Sequence, residues 1–440
     1  MSRIFNISDV DWNALKRNTP QWFVDAKFGI FIHWGAYSVP AWGEPLGELG
    51  TMEARTWFPH NPYAEWYFNT IRIEGSPAQR HHQETYGGAP YDNFLDMWKA
   101  EKFDPSEWAS LFAQSGAQYV IPTTKHHDGI ALWEAPGTGS RNTVARGPKR
   151  DLIGAIRDAV TKAGMRFGVY YSGGLDWSIS NLPPHSDEYE LVRPSDAAYS
   201  MYCYMHVAEL IDKYKPEVIF NDINWPDFSK RYGEYSLPAL FEYYYKKVPT
   251  GVVNDRWGVP HWDYKTSEYK YNLHVENEGV WENNRGVGYS FGYNQLETEE
   301  HYLNIEKLLH HFLDIVSRGG NLLLNVGPTA SGEIPQLQKR VLLDIGEWMK
   351  VNSRAIYGSR VAPGLAPSDS PWLRWTRVGE STFAHIQAQG DVLLLAPASA
   401  VDVSKARTMD GQHLEVRRDG DYIKFRIEPL VGPIAVVEFS

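Results

Sequence analysis

A carboxylate at the end of an apolar run is the first feature of this sequence that could do chemistry. The segment Val218–Asn221 has the composition of a buried strand, and Asp222 follows it directly. A buried strand ends on an acid only where that group meets solvent, a ligand or a cation, so Asp222 is a candidate functional residue. The structural alternative is that Asp222 caps a helix that follows it.

Further acids follow the next short strand, which is predicted at Gly251–Asp255. Arg256 comes directly after this strand, and several carboxylates lie beyond it. Glycoside hydrolysis needs two carboxyl groups that flank the scissile bond, and this region can supply the second one. Spacing does not decide which acid pairs with Asp222. The acids of this loop-rich region are Glu268, Glu276, Glu278 and Glu282.

Two adjacent histidines, His126 and His127, follow the strongly apolar predicted strand Tyr119–Thr124. On a loop at the end of a strand, both rings could exchange hydrogen bonds with sugar hydroxyls. They could also be structural histidines bonded to nearby backbone. A metal-dependent hydrolase built on His33, His126 and His127 is a third reading, but the usual metal-binding spacings of histidine and cysteine do not occur.

The elements that must position these residues follow the pattern of a parallel sheet with crossover helices. From about residue 27 to residue 328, short β-type runs alternate with segments of helical period. A (β/α) barrel is favoured because polar and aromatic residues gather after the strands, and no glycine-rich phosphate turn follows the first strand. The predicted strands are Lys27–His33, Tyr119–Thr124, Arg166–Ser172, Glu217–Asp222, Gly251–Asp255 and Asn321–Val326.

The pattern changes after a predicted helix at Gln336–Asn352, where short alternating apolar runs separated by turns predict an antiparallel β-sandwich. We therefore predict a catalytic (β/α)8-type barrel over residues 1–355 and a C-terminal β-sandwich over residues 356–440. The segment Glu44–Pro62 predicts a long loop over the barrel mouth, of the kind that acts as a lid. The sandwich strands are predicted at Trp372–Val378, Thr382–Ala388, Val392–Leu395, His413–Val416, Tyr422–Ile427 and Ile434–Phe439.

Composition limits the partners of the protein. The 440 residues carry a net charge of -11 without a dense basic stretch, which argues against nucleic acid or an anionic membrane and favours a neutral small ligand. Cys203 is the only cysteine, so an intrachain disulfide is impossible. The first residues lack the apolar run of a signal peptide, and we expect a cytoplasmic protein.

Six short blocks of the sequence stand out together: Trp22-Phe23, Phe28–Gly35, Glu65–Tyr67, Lys125–Gly129, Gly147–Asp151 and Asn325–Pro328. These blocks resemble glycoside hydrolase family 29, the α-L-fucosidases. They occur in family order and at family spacing over nearly the whole chain, and together they are highly specific.

The resemblance implies a (β/α) barrel followed by a β-sandwich, and a retaining mechanism without a cofactor or metal. It implies that Asp222 is the nucleophile and that Glu268 is the general acid/base, one ionised while the other is protonated. It also implies that Arg256 lies near the acid. The hydroxyls of the sugar would be held by His33, Glu65, Trp66, His126, His127 and Tyr171, and its C6 methyl group by Phe31 and Phe291.

The expected function is an exo-acting retaining α-L-fucosidase that releases terminal α-L-fucosyl residues from oligosaccharides or glycoconjugates. One alternative is a related exo-glycosidase such as an α-L-galactosidase, because one group in an apolar pocket discriminates by only about 1–3 kcal/mol. Another is a catalytically silent fucose-binding protein. The resemblance also allows a homo-oligomer, although no interface can be identified in the sequence.

Overall fold

Eight parallel strands form the N-terminal part of the fold, which is described from a computed structural model for residues 10–179, 182–186, 193–269, 279–427 and 432–439. The strands pair in chain order from β1 to β5, and β1 also pairs with β8, which continues to β7 and β6. This is the order of a (β/α)8-type barrel, as predicted. The strands are β1 Phe28–Ile32, β2 Tyr119–Lys125, β3 Arg166–Ser172, β4 Val218–Asp222, β5 Val252–Val253, β6 Lys265–Glu268, β7 Trp281–Gly286 and β8 Asn321–Val326.

Helices of varied length connect the strands, and none in the described ranges is long and apolar enough to cross a lipid bilayer. One helix begins with a side-chain cap, since Asp104 Oδ1 accepts hydrogen bonds from the backbone N–H groups of Ser106 (2.8 Å) and Glu107 (3.3 Å). The helices are α1 Gln21–Ala26, α2 Ala54–Trp57, α3 Tyr67–Thr70, α4 Pro77–Tyr86, α5 Asn93–Met97, α6 Pro105–Gln114, α7 Leu152–Lys162, α8 Ala197–Tyr214, α9 Leu237–Lys247, α10 Ile305–Ser317 and α11 Gln336–Asn352.

Side chains alternate along the strands between the inside of the barrel and the outer layer under the helices. On β3, Tyr170 belongs to the inner cluster with Phe31, whereas Val169 and Tyr171 belong to the outer cluster. On β4, Phe220 is inside. The alternation decides which side chains can reach a site inside the barrel.

Two barrel strands, β6 and β7, were absent from the prediction because they lack an apolar run. Strand β7 is fully buried yet consists largely of polar residues, several of which form hydrogen bonds inside the protein. For example, Asn283 Nδ2 donates to Ser267 Oγ on β6 at 2.9 Å, and Asn283 Oδ1 is 2.8 Å from His311 Nε2 on α10. Hydrogen bonds thus replace apolar contacts in this part of the barrel wall.

Side chains also extend the pairing of β5, which is shorter than predicted. Asn254 follows the strand, and its amide accepts from the N–H of Asn221 (3.1 Å) and donates to the C=O of Asn221 (2.8 Å). On the other side, Asp263 accepts from the N–H of Val253 at 2.8 Å and donates its own N–H to the C=O of Val253 at 2.9 Å. Asp263 therefore connects β5 to the segment that leads into β6.

Two antiparallel sheets form the C-terminal part and share one apolar cluster. The order in the first is β10-β11-β12-β17-β14, with β9 beside β11, and in the second β13-β16-β15. The strand predicted at His413–Val416 was wrong, because a short strand lies at Arg417–Asp419 instead. The predicted boundary at residues 355/356 falls before β9 and stays a prediction. The strands are β9 Arg360–Val361, β10 Ser368–Asp369, β11 Trp372–Val378, β12 Ser381–Gln387, β13 Gly390–Leu395, β14 Arg407–Thr408, β15 Arg417–Asp419, β16 Tyr422–Ile427 and β17 Ala435–Phe439.

We expect the substitution Asp263→Asn to lower the free energy of unfolding by about 2–4 kcal/mol, because it removes the charge that faces Arg17 and turns an acceptor into a donor. Asp263 Oδ1 now accepts from Arg17 Nε at 2.9 Å, and Oδ2 accepts from Tyr245 Oη at 2.9 Å. Urea unfolding followed by tryptophan fluorescence measures the loss.

The matched control is Asp391→Asn, which removes an exposed carboxylate paired with Lys424 and Arg426 at 3.4 Å. We expect this change to cost less than about 0.5 kcal/mol. Equal losses in the two variants would contradict the role of Asp263 in joining β5 to β6.

Candidate active site

A cavity of about 430 Å³ lies where the carboxyl ends of the barrel strands meet, within the size range of small-ligand sites. It brings together nearly all the residues predicted for the site. Its lining includes Phe31, His33, Glu65, Trp66, His126, His127, Asp222, Arg256, Glu268 and Phe291.

Asp222 ends β4, and its carboxylate is held by donors from three different parts of the chain. Oδ2 accepts from Tyr170 Oη at 2.9 Å, while Oδ1 accepts from Arg256 Nη1 at 2.9 Å and from the N–H of Ile223 at 3.0 Å. The side chain reaches the cavity, although the residue is only 8% exposed. These three donors fix the direction in which the carboxylate points.

The helix-cap reading of Asp222 is excluded, because the next helix, α9, is capped by Ser236. The backbone after Asp222 instead adopts an unusual conformation, with a φ of 53° at Ile223 and 81° at Asn224. A β-branched residue in the left-handed region costs about 1–2 kcal/mol, and such strain clusters at functional sites. A Cβ at Gly174 would lie 1.6 Å from the carbonyl oxygen of Ile223, so this close approach requires a glycine.

Arg256 joins Asp222 to the second predicted acid. Its Nη2 donates to Glu268 Oε2 at 3.1 Å and to Asn284 Oδ1 at 3.2 Å, while its Nε donates to Thr266 Oγ1 at 3.0 Å. Burial lowers the pKa of Arg256, but the nearby carboxylates more than offset this and leave that pKa above its usual range. One permanently charged guanidinium therefore holds both acids at the cavity.

Glu268 ends β6, and Tyr63 Oη donates to its Oε1 at 3.0 Å. The other acids considered for its role are placed differently. Glu282 lies near the start of β7, is 0% exposed, and accepts a hydrogen bond from Tyr119 inside the barrel. It does not line the cavity. Glu276 and Glu278 fall outside the described residues.

The three histidines of the cavity are buried and electrically neutral at neutral pH. Burial lowers the pKa of His33 to about 4, and it lowers the pKa values of His126 and His127 well below their usual value. His33 Nδ1 is 2.7 Å from Asn325 Oδ1, and His127 Nδ1 is 2.7 Å from Ser172 Oγ. These contacts orient both rings.

The remaining ring, His126, has a buried Nδ1 for which the described part of the protein supplies no hydrogen-bond partner. A ligand hydroxyl in the cavity would satisfy it. In the same described ranges, no group of three or more histidine, cysteine or acidic side chains could hold a metal ion.

Glu65 lies beside the histidines and is almost completely buried, with an exposure of 1%. Its Oε2 accepts from the N–H of Gly292 at 2.7 Å and from Ser290 Oγ at 3.2 Å. Burial raises the pKa of Glu65 to about 7, despite the opposing effect of these hydrogen bonds. Near neutral pH this carboxyl can therefore both donate and accept hydrogen bonds.

Aromatic rings form one apolar wall of the cavity. Phe31 packs against Phe220 with ring centroids 5.0 Å apart and against Phe291 at 6.4 Å. The predicted apolar spot thus exists and includes a third phenylalanine.

The placement of Tyr171 in the site was wrong, and the structure places Tyr170 there instead. Tyr171 lies on the outer face of β3, where its hydroxyl is 3.1 Å from His206 Nδ1. The register of the sheet contains the signal that identifies Tyr170, because Ser172 is paired with Asp222 and Tyr170 with Phe220. In a parallel sheet, paired residues share a face, so the tyrosine on the face of Asp222 is Tyr170.

Three further parts of the structure line the cavity, and the sequence identified only one of them. They are Tyr63, Asn284 and the loop after β1. The predicted loop Glu44–Pro62 does lie at the barrel mouth, since Leu49, Met52 and Trp57 line the cavity. Tyr63 and Asn284 were absent from the prediction because no local pattern marks them.

Comparison with known proteins places the chain in a family. A family model described as Alpha-L-fucosidase matches residues 7–354. Among similar proteins, the α-L-fucosidase of Dictyostelium discoideum is 33% identical over 382 residues, which cover 84% of this chain and 76% of that protein. Tissue α-L-fucosidase of Homo sapiens is 33% identical over 363 residues, covering 80% and 72%.

A solved structure of Thermotoga maritima α-fucosidase in complex with fucose is 44% identical and has a TM-score of 0.87, covering 98% of this chain and 99% of that one. The fold, the cavity and these similarities agree. The chain belongs to glycoside hydrolase family 29, the α-L-fucosidases.

Proposed function

We propose that this protein is an exo-acting α-L-fucosidase that retains the anomeric configuration, with Asp222 as nucleophile and Glu268 as general acid/base. The observation that carries the proposal is the pair of carboxylates held by Arg256 at the floor of the cavity. Retaining glycosidases place two carboxyl groups about 5–5.5 Å apart, and one guanidinium that bonds both is consistent with such a separation.

In the first step, an oxygen of Asp222 forms a bond to C1 of the fucosyl residue while the bond from C1 to the leaving oxygen breaks. Glu268 gives its proton to that oxygen. In the second step, Glu268 takes a proton from a water molecule whose oxygen attacks C1, and the bond from C1 to Asp222 breaks. Two inversions at C1 give overall retention.

The contacts of Glu268 fit the second step, in which it acts as a base. Both Tyr63 and Arg256 donate hydrogen bonds to this carboxyl group. In the first step one oxygen carries the proton that is donated, and the carboxyl group can still accept hydrogen bonds. Arg256 also donates to Asp222, so the same guanidinium orients the nucleophile.

Recognition of fucose rests on neutral polar groups beside an apolar wall. The neutral rings of His33, His126 and His127 can each bond a sugar hydroxyl without bringing a charge into the cavity. Phe31 and Phe291 supply the surface on which the C6 methyl group would pack. A hydroxymethyl group at that position would place a polar oxygen against this surface.

The first prediction concerns the substrate. We expect 4-nitrophenyl α-L-fucoside to be hydrolysed with a kcat/KM about 10–200-fold above that of the matching α-L-galactoside, because the two sugars differ by one group in an apolar pocket. Initial rates of nitrophenol release, measured with a chelator present, test this. The β-D-galactoside is the negative control. Failure to hydrolyse any of the three, while fucose still binds, would indicate a silent binding protein.

The second prediction concerns the roles of the two acids. Asp222→Asn should lower kcat roughly 10⁴-fold or more and leave fucose binding intact, because only the attacking group is lost. Glu268→Ala should be rescued by azide and yield α-L-fucosyl azide, since azide then takes the place of water on the leaving-group side. Calorimetry measures the binding of fucose to Asp222→Asn. The anomeric configuration of the azide product tests the role of Glu268.

The control for these variants is Asp227→Asn, which removes a carboxylate paired with Arg193 and Lys230 outside the cavity. It should retain activity. Unchanged hydrolysis by Asp222→Asn would remove its assignment as nucleophile. A β-configured azide from Glu268→Ala would instead mean that the two acids have exchanged roles.

The third prediction concerns Glu65 and pH. Its pKa is raised from 4.5 to about 7 in the fold, so the stability that it contributes is complete below its unfolded pKa and is lost as pH rises through the folded pKa. Between about pH 5 and pH 8, wild type should lose roughly 2–3 kcal/mol relative to Glu65→Gln. Urea titrations of both proteins at each pH give this difference.

The matched control is Glu101→Gln, which neutralises an exposed carboxyl group. Its stability relative to wild type should change little over the same pH range. A pH-independent difference for Glu65→Gln as well would show that Glu65 ionises in the fold as it does in the unfolded chain.

A further inference from the structure

The segment from Glu44 to Pro62 presents an apolar surface to the cavity. Its cavity-lining residues are all uncharged, namely Leu49, Gly50, Met52, Ala54, Trp57 and Phe58. Two acidic side chains of the segment, which do not line the cavity, form ion pairs. Glu48 pairs with Arg285 on β7 at 2.7 Å, and Glu44 pairs with His60 at 2.6 Å.

This surface is linked to Glu268 through one side chain, Tyr63. The ring of Trp57 packs edge-on against Tyr63 with centroids 5.1 Å apart, and Tyr63 Oη donates to Glu268 Oε1. The acid of a glycosidase contacts the glycosidic oxygen, so the leaving group must extend past the acid as it departs. Trp57 therefore borders the space that a leaving group would occupy.

We propose that Leu49, Met52 and Trp57 form a binding site for the leaving group, and that this site selects leaving groups with an apolar face. An aryl ring or the C–H face of a pyranose has this chemistry. The proposal rests on the proposed fucosidase function and adds to it the class of group on the far side of the scissile bond.

The segment is anchored firmly enough to act as a defined wall. Asn294 Nδ2 donates to the C=O of Gly43 at 2.8 Å and to the C=O of Pro62 at 3.1 Å, so one side chain holds both ends of the segment. Arg285 is buried and lies over the ring of Tyr269 while it binds Glu48. These anchors fix the ends and the middle of the segment without entering the leaving-group space.

The test compares two substrates that share the fucosyl residue and differ in the leaving group. The aryl group of 4-nitrophenyl α-L-fucoside reaches the proposed leaving-group site, whereas α-L-fucosyl fluoride leaves that site empty. Trp57→Ala should lower the ratio of kcat/KM for the aryl fucoside to kcat/KM for the fluoride roughly 10-fold, as expected for one lost apolar contact. Both leaving groups depart readily, so the ratio is insensitive to proton donation by Glu268.

Met52→Ala is the second variant, because Met52 is only partly buried and its truncation disturbs the fold less. It should lower the same ratio in the same direction. Thr56→Ala is the matched control, since Thr56 is exposed beside Trp57 and does not line the cavity. It should leave the ratio unchanged. The inhibition constant of free fucose reports separately on the fucose pocket.

An unchanged ratio in both Trp57→Ala and Met52→Ala would overturn the proposal. An equal loss of kcat/KM on both substrates, together with weaker inhibition by fucose, would also overturn it. The three residues would then act on the fucose pocket itself. The failure of wild type to turn over either substrate is a different result, and it would overturn the proposed function instead.

Discussion

The contact of Arg256 with two carboxylates is the interaction on which the site depends. Asp222 and Glu268 end different strands, and Arg256 follows a third, so the guanidinium is bonded to both acids only if the carboxyl ends of β4, β5 and β6 come together. Two acids at the floor of a buried cavity would repel each other and lose hydration. One permanent positive charge offsets both penalties.

The barrel could be predicted where its strands carry apolar runs, and this covers β1 to β5 and β8, although β5 is shorter than predicted. The strands β6 and β7 could not be predicted in this way, because their buried side chains satisfy one another through hydrogen bonds. Asn283, for example, bonds Ser267 on β6 and His311 on α10, and such partners are distant in sequence. A polar segment of this kind looks like a loop until the tertiary structure supplies its partners.

Most of the site could be predicted because the resemblance to a family identifies positions one by one. The error at Tyr171 shows the limit of that approach, since a shift of one residue moves a side chain to the other face of a strand. Tyr63 could not have been found locally, because its partner Glu268 is far along the chain. Long-range partners of this kind become visible only once the strands of the barrel are assembled.

Asn294 holds both ends of the segment between Gly43 and Pro62, and this affects how the length of the segment can change. A loop whose ends are already held together adds only about 0.6 kcal/mol of closure entropy for each doubling of its length. The length of the segment between the anchors can therefore change at little entropic cost, as long as Trp57 and Phe58 stay buried. In the proposed function, the surface that meets the leaving group could thus change in size without displacing the residues that hold the fucosyl residue.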